Sequence, residues 1–133
     1  MNQTVMLTFT SLLSILLFTF HISEDIVRGM EPGGFKNISG VVIVVVWLYG
    51  TLVLAGRRSG YIITLLGSLL GFVVLLAHLR GVGLVGGRIA NSGGKLFWVW
   101  TLFTLGVISL FSVTLSVRGL WSLPWRRSHR TSD

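Results

Sequence analysis

Residues 39–79 read SGVVIVVVWLYGTLVLAG–RRSG–YIITLLGSLLGFVVLLAHL, two long apolar runs parted by a four-residue basic break. Taken alone, the β-branched series Val41-Val42-Ile43-Val44-Val45-Val46 would suit a buried strand in water. The length of the run decides against that reading. Strands average about 5–6 residues, whereas crossing the hydrocarbon of a bilayer takes about 17–25 mostly apolar residues as a helix. With only Arg57-Arg58-Ser59-Gly60 between them, the two helices must form an antiparallel hairpin.

Working outward, two further runs have the same character. Residues 5–22 precede the hairpin and residues 96–117 follow it, so the predicted spans are 5–22, 39–56, 61–79 and 96–117. Pro32 and Pro124 fall outside all four, as uninterrupted helices require. Composition agrees: of 133 residues, 52% are hydrophobic and 11% charged, with a mean hydropathy of +0.81. A soluble domain carries about 25% charged residues, so lipid is the expected solvent for most of this surface. The predicted class is an all-α integral membrane protein, a compact bundle of four antiparallel transmembrane helices forming a single membrane domain over residues 1–133.

The first run starts beside the N-terminus but lacks the basic lead and the small-x-small site of a signal peptide, and is expected to be retained. The chain has no cysteine, which excludes disulfides, thiolate catalysis and cysteine metal sites. The formal charge of +7 does not point to nucleic acid, because its basic residues stand singly or in pairs at helix ends, where they face lipid headgroups.

Orientation follows from the lysines and arginines on each side. Arg57, Arg58, Arg118, Arg126, Arg127 and Arg130 share one side, and Arg28, Lys36, Arg80, Arg88 and Lys95 the other. The compact Arg57-Arg58 pair and a basic tail over residues 118–133 place both termini in the cytoplasm of a plasma (inner) membrane, with loops 23–38 and 80–95 outside. Trp121 and Trp125, and at the other end Trp98 and Trp100, fit interfacial aromatic belts.

Small residues let helices approach closely in lipid. Gly60, Thr64, Gly67 and Gly71 share one face of the third helix, His78 extends the same stripe, and the polar line Gln3, Thr10, Ser14, His21, Asp25 and Arg28 marks a face of the first. The fourth helix contributes Ser109, Ser112 and Ser116.

Chemistry concentrates at the outer ends of the first and third helices. Glu24, Asp25 and Glu31 are the only acidic residues before Asp133. With helicity continued to Arg28, His21, Glu24, Asp25 and Arg28 share a face, and the third helix brings His78 and Arg80. These six residues form the candidate polar cluster. In one reading Glu24, Asp25 and Glu31 pair with Arg28, Arg80 and Arg88 and fasten the outer loops. In others, His21, Glu24, Asp25 and His78 bind a divalent metal, pass protons or bind a solute, or His21 and His78 hold a haem. No cofactor is assigned and no catalytic residue is named.

Other motifs fall away on inspection. Gly81-Val82-Gly83-Leu84-Val85-Gly86 matches a dinucleotide-binding pattern in letters but follows a membrane helix and lacks the later acid. Gly94-Lys95 lacks the hydroxyl residue and first glycine of a phosphate loop. The six glycines from Gly81 to Gly94 read as a mobile outer loop, long enough to act as a lid. Asn2-Gln3-Thr4 and Asn37-Ile38-Ser39 fit the glycosylation pattern, one on the cytoplasmic side and the other at the membrane surface. No Ser/His/Asp triad assembles. The expected function is therefore a non-catalytic accessory or interaction subunit whose partners are the bilayer and another membrane protein or a second copy. The alternative is a small transporter or proton/metal-handling protein using the outer cluster.

Overall fold

The structure, a computed structural model, describes residues 2–31, 33–80 and 93–123. It is all-helical: α1 (Gln3–Val27), a short 3-10 turn (Gly34–Asn37), α2 (Ile38–Leu52), α3 (Arg58–Arg80) and α4 (Lys95–Ser122). The predicted lid loop, the dinucleotide-like motif at 81–86, Arg88 and the tail from Pro124 onward lie outside the described residues.

α1, α3 and α4 are each long and apolar enough to cross a membrane. At 1.5 Å per residue their 25, 23 and 28 residues reach about 37, 34 and 42 Å, beyond the roughly 30 Å hydrocarbon thickness. α2 departs from expectation. It ends at Leu52 rather than at residue 56, and its 15 residues cover only about 22 Å.

The cause is the connection. Val53 and Leu54 both donate their backbone N–H to the Tyr49 carbonyl, and Gly56 then takes φ +75°. A helix that must turn through a left-handed residue stops before it. The connection therefore occupies residues 53–57 instead of 57–60, and α3 takes in residues 58–60.

The core lies between α1, α3 and α4. On α1 the stripe Leu7, Ser11, Ser14, Phe18, His21 and Asp25 is buried, and on α4 so is Trp98, Leu102, Leu105, Ser109, Ser112 and Ser116. Both step by four and three residues in strict alternation. That 3.5-residue period keeps one seam turned toward the neighbouring helices along the whole length of the bundle.

The starts of α1 and α3 meet the end of α4. Gln3 Nε2 donates to the Leu115 carbonyl (2.9 Å), Thr4 Oγ1 and Tyr61 Oη share a hydrogen bond (3.2 Å), and Arg58 Nη2 donates to the Leu123 carbonyl (3.2 Å). The opposite end joins the ends of α1 and α3 to the start of α4, and there the candidate site lies.

Gly60, Thr64, Gly67 and Gly71 are all buried, as expected of a packing stripe, but they serve two neighbours. Gly67 admits the Trp47 indole from α2, while Gly71 admits Ser109 from α4. α2 buries only Trp47, Gly50 and Thr51. It is fastened by a closed ring of hydrogen bonds: Trp47 Nε1 donates to Ser11 Oγ (2.9 Å), Ser11 Oγ to Thr51 Oγ1 (2.7 Å), and Thr51 Oγ1 back to the Trp47 carbonyl (2.9 Å).

Ser11→Ala would leave the Trp47 N–H buried without its acceptor, a loss of about 1–3 kcal/mol. A clear fall in the detergent melting temperature is the expected result, and an unchanged melt would mean that this ring does not hold α2.

Candidate functional site

α1 ends in a way that fixes its last inward turn. Gly29 takes φ +67° and donates its N–H to the Ile26 carbonyl, while the Met30 N–H reaches the Asp25 carbonyl at 2.8 Å. This paired pattern closes a helix through a left-handed glycine. It stops α1 just beyond Asp25, whose side chain remains on the buried seam one turn above His21.

His21 Nε2 lies 3.3 Å from Asp25 Oδ2. The other carboxylate oxygen, Oδ1, accepts a hydrogen bond from Trp98 Nε1 at 3.1 Å. Gly94, at φ +74°, starts α4 early enough for Trp98 to fall in its first turn, where its N–H faces Asp25. His21 is 2% exposed and Asp25 7%, so this carboxylate is nearly removed from solvent.

His78, from the last turn of α3, completes the group. Its Nδ1 lies 2.8 Å from the Val74 carbonyl, which can only accept, so Nδ1 carries the proton. In the neutral ring Nε2 is left with a free lone pair. The His21 and His78 rings meet edge to face at 4.9 Å, and Trp98 packs against both, at 5.8 and 5.3 Å. One ligand-type atom from each of His21, Asp25 and His78 lies within 4.8 Å of the other two.

His21 Nδ1 is buried and has no hydrogen-bond partner among the described residues. A buried polar atom in that condition costs about 1–3 kcal/mol until a ligand or a water satisfies it.

Beneath the centre the core turns apolar. Ile15, Leu17, Phe18, Trp47 and Leu105 form one cluster, and Leu75 and Leu102 pack with Trp98 in another. These side chains separate the centre from the serine-rich half of the seam.

The remaining members of the expected cluster divide. Glu24 turns away from Asp25 toward the seam between α1 and α4. There Arg28 Nη2 lies 3.4 Å from its Oε1, and Thr101 Oγ1 lies 3.4 Å from its Oε2. Arg28 Nη2 also donates to the Gly93 carbonyl at 3.3 Å. A groove of about 330 Å³ runs beside this pair, lined by Phe20, Glu24, Arg28 and Phe97 among others.

Of the expected ion pairs, the described residues show only Glu24–Arg28. Arg80 is exposed with no carboxylate in ion-pair range among those residues, and Asp25 meets a histidine and a tryptophan in place of an arginine.

The sequence reading assigned Trp98 to an interfacial belt. It is instead 1% exposed, while Trp100 and Trp121 face outward as a belt residue would. The signal that locates Trp98 is the buried period of α4, in which 98 is followed by 102, 105 and 109.

Among the described residues the hydroxyl placed near a carboxylate is that of Thr101, whose single proton has the Phe97 carbonyl (2.9 Å) and the Trp98 carbonyl (3.0 Å) as nearer acceptors, as in a structural threonine. The arrangement has no nucleophile poised against a base. Its chemistry is that of a cation site, with one carboxylate and two imidazoles converging at the end of a helical bundle. Comparison with protein-family models, with curated proteins and with solved structures found no match to this chain.

Proposed function

We propose that this chain is an integral membrane protein, its helices running alternately up and down through the bilayer, that takes up a cation at the His21–Asp25–His78 centre. The observation that carries this reading is the buried Asp25 carboxylate, which faces His21 and Trp98 and has no arginine or lysine within ion-pair range among the described residues. Ionisable groups at membrane depth are expensive, and those that persist mark ion or proton pathways. An accessory subunit has no need of such a centre, and a centre kept only for structural fastening would be expected to include an arginine.

In the proposed orientation the termini are cytoplasmic and the centre faces the outer side of a plasma membrane. The apolar layer beneath it supports a protein that binds and releases its cation, as opposed to an open pore. Purified protein in lipid vesicles loaded with a pH dye and a divalent-metal dye tests the reading. Cation entry above that of empty vesicles is expected, and Asp25→Asn should abolish it while the protein still elutes as a folded particle. Wild-type vesicles as tight as empty ones would overturn the proposal. So would a stable co-purifying membrane partner whose assembly tolerates Asp25→Asn.

A further inference from the structure

Resting on that cation-handling reading, we infer that the cation is a divalent transition metal of the zinc type, held by His21, Asp25 Oδ2 and His78 Nε2. The donor set selects the class. Calcium and magnesium take mostly oxygen ligands, six to eight for calcium, and this centre offers one carboxylate. The absence of cysteine removes the thiolates that favour copper(I). Two imidazoles and one carboxylate are the ligands of zinc and of its divalent neighbours in the first transition row.

The geometry agrees with the chemistry. Metal–ligand bonds of about 2.0–2.2 Å at a tetrahedral angle place neighbouring ligand atoms about 3.4 Å apart. His21 Nε2 and Asp25 Oδ2 already stand at 3.3 Å. The widest separation in the group, up to 4.8 Å, would close by roughly an ångström as the metal draws His78 in.

Two hydrogen bonds around the ligands have the form of those that orient metal ligands. The Val74 carbonyl fixes the proton on His78 Nδ1 and so leaves the lone pair of the neutral ring on Nε2. The Trp98 N–H occupies Asp25 Oδ1 and leaves Oδ2 for the metal. His21 Nδ1, the ring nitrogen not used toward Asp25, is buried without a hydrogen-bond partner among the described residues. Three protein ligands leave the fourth tetrahedral position open to water or another exogenous ligand, unlike the closed four-ligand sites that hold a fold together.

The test uses the full chain in detergent, stripped with a chelator, and titrated with Zn²⁺ by calorimetry and with Co²⁺ by visible absorption. One metal per chain and an intense tetrahedral Co²⁺ band are expected. His78→Ala should remove both. Trp98→Phe, which touches no metal, should weaken Zn²⁺ binding about 10–100-fold, the usual effect of losing an outer-shell partner. Glu24→Gln, on the neighbouring face of α1, should bind like the wild type.

A folded wild-type protein with no saturable Zn²⁺ or Co²⁺ binding overturns the inference, as does undiminished binding in His78→Ala or lost binding in Glu24→Gln. The two readings fail separately. Proton entry without metal binding removes the metal and leaves cation handling in place, whereas metal binding without entry of any cation removes the transport.

Discussion

Replacing Gly60 with alanine is expected to lower the detergent melting temperature by roughly 5–15 °C, the largest effect of any single glycine-to-alanine change in the described helices. A methyl group at Gly60 would run into the Leu54 carbonyl oxygen, and would lie 2.7 Å from its carbon and 3.0 Å from the Gly50 oxygen. All three are backbone atoms of α2 and its turn, and backbone cannot rotate out of the way as a side chain does. Relief requires α2 to move off α3, which would pull Trp47 from the notch at Gly67 and open its hydrogen-bonded ring with Ser11 and Thr51.

Gly106 provides the comparison. There the added methyl meets the Leu75 side chain, most closely its Cδ2, and a leucine can change rotamer. Gly106→Ala should therefore cost clearly less. Equal melting of Gly60→Ala and wild type would mean that α2 does not approach α3 through this turn.

The turn also shows where sequence reading reached its limit. The Arg57-Arg58 break announced that one helix ends and another begins here, because charge interrupting an apolar run is a strong signal. The place where the helix stopped was set by Gly56 at positive φ, and a glycine in an apolar run is just as compatible with a helix that continues.

Along the other helices, the 3.5-residue spacing was legible, and with it the shared face of His21 and Asp25 and the stripe from Gly60 to His78. Helical spacing along a single helix cannot report the rotation of one helix against its neighbour. Glu24 and Asp25 are adjacent in sequence and about 100° apart on the helix, so one meets Arg28 and Thr101 and the other enters the core. Trp98 was misplaced for a related reason. A tryptophan near a helix end fits an interfacial belt on composition alone; the period it shares with Leu102, Leu105 and Ser109 puts it on the buried seam, where its N–H meets the Asp25 carboxylate.

That carboxylate supports the second large prediction. Asp25→Ala should destabilise the protein by about 3–5 kcal/mol, because removing one member of a buried polar group strands the others. Trp98 Nε1 would lose its acceptor, and His21 would keep neither its carboxylate nor a partner at Nδ1. A triple variant, His21→Phe, Asp25→Leu and Trp98→Phe, removes all of these polar atoms together and keeps apolar side chains in the space they fill. Well-packed apolar replacement of a buried charged group is commonly neutral or stabilising, by about 1–4 kcal/mol. The triple variant is therefore expected to melt at or above the wild-type temperature, far above Asp25→Ala, and to have lost both Zn²⁺ binding and cation entry. Melting alone does not separate a fastening from a cation site, because apolar packing replaces either one; the loss of Zn²⁺ binding and cation entry at undiminished stability does. A bundle that is at least as stable without its histidine, aspartate and tryptophan, and inactive, retains them for the cation.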